Sequence, residues 1–190
     1  GATANASASG LGNAGQVLGS FATYDPAVGV RALLAAEYGN NFTNVTSLAG
    51  ITNNHVRVIN NQSTAAALTA TLPAGNTTIR TLTLGQQNQA LTIAFAGAND
   101  VLTLSQGGLL SGALDSHARN IGTAATRGKI TTSGTELFIH NASNTLTINS
   151  EIGNSGGNFD LILDSMSQTA NTPTITLTNA NTYVGNTFAN

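Results

Sequence analysis

From Val56 onward the chain alternates apolar residues with threonine and other polar residues, in the pairs Leu82/Leu84, Leu91/Ile93, Leu102/Leu104, Leu137/Ile139, Leu146/Ile148, Leu161/Leu163 and Ile175/Leu177. A period of two places successive side chains on opposite faces, so each run predicts a short strand with one buried face. Clusters such as Pro73-Ala74-Gly75-Asn76, Gly97-Ala98-Asn99-Asp100 and Asn141-Ala142-Ser143-Asn144 stand between the runs and predict turns. The pattern differs upstream. Asp25 and Pro26 suit the cap and first position of a helix, Gly39 supplies a stop, and Val30, Leu33, Leu34 and Tyr38 fall on one helical face. Residues 1–24 are rich in Gly, Ala, Ser and Asn, with Val17, Leu18 and Phe21 as apolar anchors, and predict a flexible arm.

The apolar anchors recur at loose intervals of roughly 9 to 15 residues, as coils of a solenoid do when insertions become loops. A β-sandwich is the competing architecture, and it calls for large inward side chains to fill a gap of about 10 Å between sheets. Aromatic residues are only 5% of this chain and Trp is absent. A narrow solenoid is filled by Leu, Ile, Val, Ala and Thr, with Asn and Thr stacking between coils, and fits better. The expected organisation is an arm over 1–24, a helical cap and connector over 25–55, and a β-solenoid over 56–190.

Charged residues make up 7% of the chain and the formal charge is −2. Amides and hydroxyls must solvate the surface, a habit of extracellular proteins. The arginines are scattered and read as isolated solvated charges, which argues against a nucleic-acid partner. The chain has no cysteine, so disulfides, thiolate metal sites and cysteine nucleophiles are excluded. No stretch is long and apolar enough to read as a membrane-spanning segment. The opening Gly1-Ala2-Thr3-Ala4 fits a terminus left by signal-peptide cleavage, and equally the edge of an excised domain.

The segment from Thr174 to Thr187, with Asn181-Thr182-Tyr183-Val184-Gly185 at its centre, resembles the autotransporter-associated β-strand repeat. In that family a strand runs into an Asn-Thr-Tyr turn, then Gly-Gly-Thr-Thr and another strand; here Asn186 replaces the second Gly, and Phe188 stands where an aliphatic residue is usual. Residues 134–152 resemble the coils that precede this turn. The resemblance implies a right-handed parallel β-helix in a bacterial surface or secreted protein, commonly an autotransporter-like passenger.

Candidate chemistry is sparse. Gly10-Leu11-Gly12-Asn13-Ala14-Gly15 matches a dinucleotide loop but lacks the flanking strand and helix. Gly153-Asn154-Ser155-Gly156-Gly157 matches a serine nucleophile elbow, yet a strand is predicted to follow rather than a helix. Asp160 and Asp164 frame Leu161-Ile162-Leu163 and would share the outward face of a strand, as weak candidates for calcium or for an acid and base pair. Asp115-Ser116-His117-Ala118-Arg119 reads as an excursion between coils. Six Asn-x-Ser/Thr triplets, among them Asn41-Phe42-Thr43 and Asn141-Ala142-Ser143, could accept glycans in a suitable host, although chance supplies most of them in an Asn/Thr-rich chain. No cofactor is expected.

The expected function is an extracellular, non-enzymatic structural subunit that assembles with itself into a fibre, filament or sheath. Val17, Leu18, Phe21, Tyr183 and Phe188 are its candidate self-association residues. An adhesin passenger that meets surface glycans or other cells is the alternative, and a polysaccharide-degrading β-helix enzyme a remote one.

Overall fold

The computed structural model of the chain describes residues 20–62, 66–85, 89–112, 117–142, 144–154, 157–165 and 172–190. Among the described residues sixteen strands follow one another: β1 (Ala22–Asp25), β2 (Gly29–Ala32), β3 (Tyr38–Thr43), β4 (His55–Ile59), β5 (Leu68–Thr71), β6 (Thr77–Leu84), β7 (Leu91–Ala94) and β8 (Val101–Ser111) in the first half. The second half carries β9 (Arg119–Ile121), β10 (Lys129–Thr132), β11 (Glu136–Asn141), β12 (Thr145–Ile148), β13 (Glu151–Ile152), β14 (Asp160–Ser165), β15 (Thr174–Leu177) and β16 (Thr187–Ala189).

Every pairing after β2 is parallel, and the pairings join strands distant in sequence, which makes the chain a β-solenoid. Three ladders run along it. The first joins the early halves of β6 and β8 to β10 and β13. The second runs β3-β4-β6-β8-β11-β14-β16, and the third β5-β7-β9-β12-β15. The turns that begin at Thr77, Val101, Lys129 and Glu151 each visit all three ladders.

The alternation read from sequence becomes rows of stacked side chains inside. On the second ladder Val56, Leu82, Leu109, Ile139 and Leu163 are successive partners, and on the third Ala70, Ile93, Ile121, Ile148 and Leu177 are. All but Leu163 and Leu177 are fully buried. Burial on this scale contributes roughly 1.5–3 kcal/mol per large aliphatic side chain. It is the main stabilising term in a chain without cross-links.

The corner between the second and third ladders is built by buried polar groups. Asn60 Nδ2 donates to the carbonyls of Ala66 (3.2 Å) and Ala90 (2.9 Å), and Asn141 Nδ2 donates to those of Asn144 (3.0 Å) and Thr174 (2.9 Å). Each asparagine thus ties its own loop to the next turn. At the same corner Arg119 replaces the apolar member of the row Leu68, Leu91, Leu146 and Ile175. It is fully buried and donates to the carbonyls of Gly85 (3.2 Å) and His117 (3.3 Å). The reading of Arg119 as a solvated charge in an excursion is corrected: it stands inside the solenoid and donates to backbone carbonyls at the corner.

The helix expected after Asp25 does not form. Residues 22–32 make an antiparallel hairpin, with Tyr24 opposite Val30 and Asp25 opposite Gly29. Asp25 accepts from the Ala27 N–H at 2.9 Å, and Gly29 has φ +83°. Asp-Pro opens a tight turn as readily as a helix, and a Gly three residues later takes the left-handed position that closes a three-residue hairpin loop. Arg31 then bridges Asp25 (3.0 Å) and Glu37 (2.7 Å), fixing the hairpin to the short 3-10 turn Ala35–Glu37. The parallel ladder already begins at Tyr38, where β3 pairs with β4, inside the stretch expected to be a cap and connector.

Candidate functional site

On the outer surface of the second ladder, one row runs through all seven strands: Tyr38, His55, Thr81, Gly108, Phe138, Ile162 and Phe188 are successive register partners. Its early half is covered. The Phe21 ring lies over Gly108, where a methyl group would stand 2.7 Å from a ring atom, and it packs with Leu33 and Tyr38. The Tyr38 hydroxyl meets Ser20 Oγ (2.7 Å) and Thr83 Oγ1 (3.3 Å), and His55 Nδ1 meets Thr81 Oγ1 at 2.9 Å. Burial on this covered half pushes the His55 imidazole and the Arg57 guanidinium below their usual pKa ranges.

The later half of the row is bare. Phe138 is 37% and Phe188 49% exposed, with Ile162 half-buried between them. Polar groups flank this apolar track. Glu136 neighbours Asp160 on one side; on the other, His140 Nδ1 meets Asp164 Oδ2 at 2.5 Å.

The Asn181-Thr182-Tyr183 turn fastens the last turn of chain to the one before it. Asn181 Oδ1 accepts from the Ile152 N–H (2.9 Å), the Thr182 N–H donates to the Ile152 carbonyl (2.9 Å), and the Thr182 hydroxyl donates to Glu151. That last bond, with Lys129 at 3.1 Å, holds the Glu151 carboxyl below its usual pKa range. The Tyr183 ring stacks on Phe159 with centroids 5.5 Å apart, and its hydroxyl bonds Thr187. Gly185 crosses so close to the preceding turn that a methyl group would lie 2.0 Å from the Phe159 carbonyl oxygen. Asp160 Oδ1 then accepts from the Asn186 backbone (2.8 Å) and side-chain amide (3.2 Å).

Comparison of the chain with protein-family models, curated proteins and solved structures finds no match. The account of function therefore rests on the geometry.

Of the predicted self-association residues, Phe188 belongs to the outer row and Phe21 lies over it at Gly108. Tyr183 is half-buried against the core, with a stacking and fastening role. Val17 and Leu18 lie outside the described residues, as does Gly10 to Gly15. Asp160 and Asp164 do share the outward face of β14, but each has its own partner, Asn186 and His140 respectively. Among the described residues no group of three or more His, Asp or Glu side chains is placed to hold a metal ion. The segment after Gly157 enters strand β14 rather than a helix, so the context of a serine elbow is missing; Ser155 and Gly156 themselves lie outside the described residues. Asp115 and Ser116 also do. Among the described residues no helix is long and apolar enough to cross a membrane.

Sequence reasoning missed the outer apolar row. The signal was available as Phe138, Ile162 and Phe188 at steps of 24 and 26 residues, each on the polar phase of its strand.

Proposed function

We propose that the chain is a structural unit of an extracellular fibre, without catalytic activity of its own, whose units join end to end by continuing the parallel ladders. The observation that carries this reading is the state of the two ends. Among the described strands β16 and β15 stand last in the second and third ladders, and β3 stands first in the second. At the late end Leu163, Ile175, Leu177 and Tyr183 are only partly buried against the core; at the early end Phe42, Val45 and Ile51 are. Each end thus combines a strand edge with an incompletely covered apolar layer, and both edges run in the same sense. A strand edge of this kind accepts another strand with main-chain hydrogen bonds. The heterologous contact that results repeats without closing, which is the geometry of a fibre. The Thr- and Asn-rich surface and the resemblance of the Asn181-Thr182-Tyr183 turn to autotransporter-associated repeats support the extracellular setting.

Sedimentation velocity across a concentration series, with electron microscopy of the same samples, tests it. The wild type is expected to form unbranched filaments as concentration rises. Ile175→Lys, which puts a charge into the partly covered late end, is expected to raise the concentration needed by at least tenfold while leaving the far-ultraviolet spectrum unchanged. Wild-type protein that stays monomeric at every concentration would instead favour a rod that displays loops as an adhesin segment.

A further inference from the structure

The bare half of the outer row and the hairpin present two apolar surfaces that do not cover one another within a single chain. Tyr24 and Val30 are cross-strand partners on one face of the hairpin, 73% and 77% exposed, and Val28 at the loop is 59% exposed. Phe138 and Phe188 are also exposed. Isolated surface hydrophobics need no explanation, but aligned aromatic and aliphatic residues on adjacent strands, and a cross-strand pair of an aromatic with a β-branched residue, form contiguous patches.

The existing cover indicates what occupies the bare half. Phe21 and Tyr38, at the root of the hairpin, already lie on this face over Gly108 and Thr83, and Gly108 neighbours Phe138 directly in the row. The bare track continues an interface that the same segment makes in its own chain. If units join end to end as proposed above, on which this inference rests, Phe188 of one unit is followed along the row by Tyr38, His55 and Thr81 of the next. The next unit's hairpin is then rooted beside the junction. We propose that the β1–β2 hairpin of a second copy docks on the Phe138-Ile162-Phe188 track, with Tyr24 and Val30 against Ile162 and Phe188.

The contact chemistry is apolar on both sides. The Arg31, Asp25 and Glu37 charges are engaged with one another, so they impose no unpaired charge on the track. Docking would strap the junction from outside, adding side-chain burial to the main-chain bonds between ends. Two aromatic anchors in an apolar track are the pattern of an interface hot spot.

Because the chain has no cysteine, paired cysteine variants give an unambiguous test. Val30→Cys protein is mixed with Ile162→Cys protein, and in a parallel mixture with Phe188→Cys protein, under mild oxidation at concentrations that give filaments. Mixtures are expected to yield a disulfide-linked heterodimer as the main product. Tyr24→Ser in the Val30→Cys partner is expected to cut that yield at least fivefold. Filaments that form with no heterodimer from either mixture would overturn the hairpin contact and leave end-to-end joining intact; neither filaments nor heterodimer would overturn both. The double variant Val30→Cys/Ile162→Cys, cross-linked within one chain as a monomer, would also overturn the inference, because it would place the hairpin on its own track.

Discussion

At the scale of single residues, the outer face depends on the missing side chain at Gly108. Any Cβ there meets the Phe21 ring, and the contact is with a side chain that can leave rather than with fixed backbone. Gly108→Leu is therefore expected to expel Phe21 and loosen the hairpin root while the solenoid stays folded. Overpacking of this kind costs about 1–3 kcal/mol. Hydrogen exchange over residues 21–38, compared with exchange in β8 and β11, checks it: protection should fall in the first region and hold in the second. Gly185 differs, since its neighbour is the Phe159 carbonyl. Gly185→Ala is expected to lower the melting temperature and unfasten β16, visible as loss of protection at the Leu161 and Asn190 amides, which donate across this last turn. Neither glycine's importance is legible from sequence alone, because each depends on a contact made from far along the chain. The resemblance of the Asn181-Thr182-Tyr183-Val184-Gly185 segment to a repeat turn drew attention to the position without giving its reason.

At the scale of elements, alternation located the strands well. Every apolar pair named from Leu82/Leu84 to Ile175/Leu177 lies in a strand, because a half-buried strand imposes its period on its own residues. What alternation does not carry is the path between strands. The spacing of 9 to 15 residues measures one ladder to the next, whereas a full turn on the second ladder takes 27, 30, 24 and 26 residues from Thr81 to Phe188. The hairpin was misread for a related reason: Asp25, Pro26 and Gly29 are compatible with both outcomes until Arg31 finds Asp25 and Glu37 together. That cluster gives the hairpin a pH dependence. Arg31, followed by the Leu34 N–H, holds Glu37 down to about 2, and the Ala27 N–H, followed by Arg31, holds Asp25 below its usual range. Both carboxyls are depressed on folding, so their contribution is complete above the unfolded carboxylate range near pH 4 and is lost as pH falls toward 2. Nuclear Overhauser contacts between Tyr24 and Val30 should persist unchanged from pH 7 to about 5 and fade between about 4 and 2. Arg31→Ala should weaken that acid dependence, leaving the part that the Ala27 and Leu34 N–H groups carry.

The buried corner belongs to the same scale. Arg119 occupies an apolar row, so a residue that fills the space is expected to be tolerated better than one that leaves a hole. Arg119→Leu should be more stable than Arg119→Ala by about 2 kcal/mol, the cost typical of a cavity left by a large side chain. Both should be less stable than wild type in thermal unfolding, because the Gly85 and His117 carbonyls lose a donor. Equal stability of the two variants would mean that the corner collapses freely.

At the scale of the whole molecule, the described residues form a stack whose outermost turns bury their apolar residues only in part, with one outer row half covered by its own hairpin. Stability comes from rows of aliphatic side chains inside and amide and hydroxyl bonds between turns, such as Asn120 to Thr92 and Thr178 to Asn149. The composition that excluded thiol chemistry and argued against nucleic-acid binding is the composition such a stack requires. The function reading depends on the ends, and their state emerges only when partial burial at Ile175, Leu177 and Phe42 is seen together with the strand order. The axial rise per unit in assembled filaments, measured by helical reconstruction from cryo-electron micrographs, tests end-to-end joining most directly. Seven strands on the second ladder, spaced at about 4.8 Å, predict a rise of about 34 Å with the ladders unbroken across each junction. Filaments with a rise far from that value, or with units packed side by side and their ladders interrupted, would contradict it.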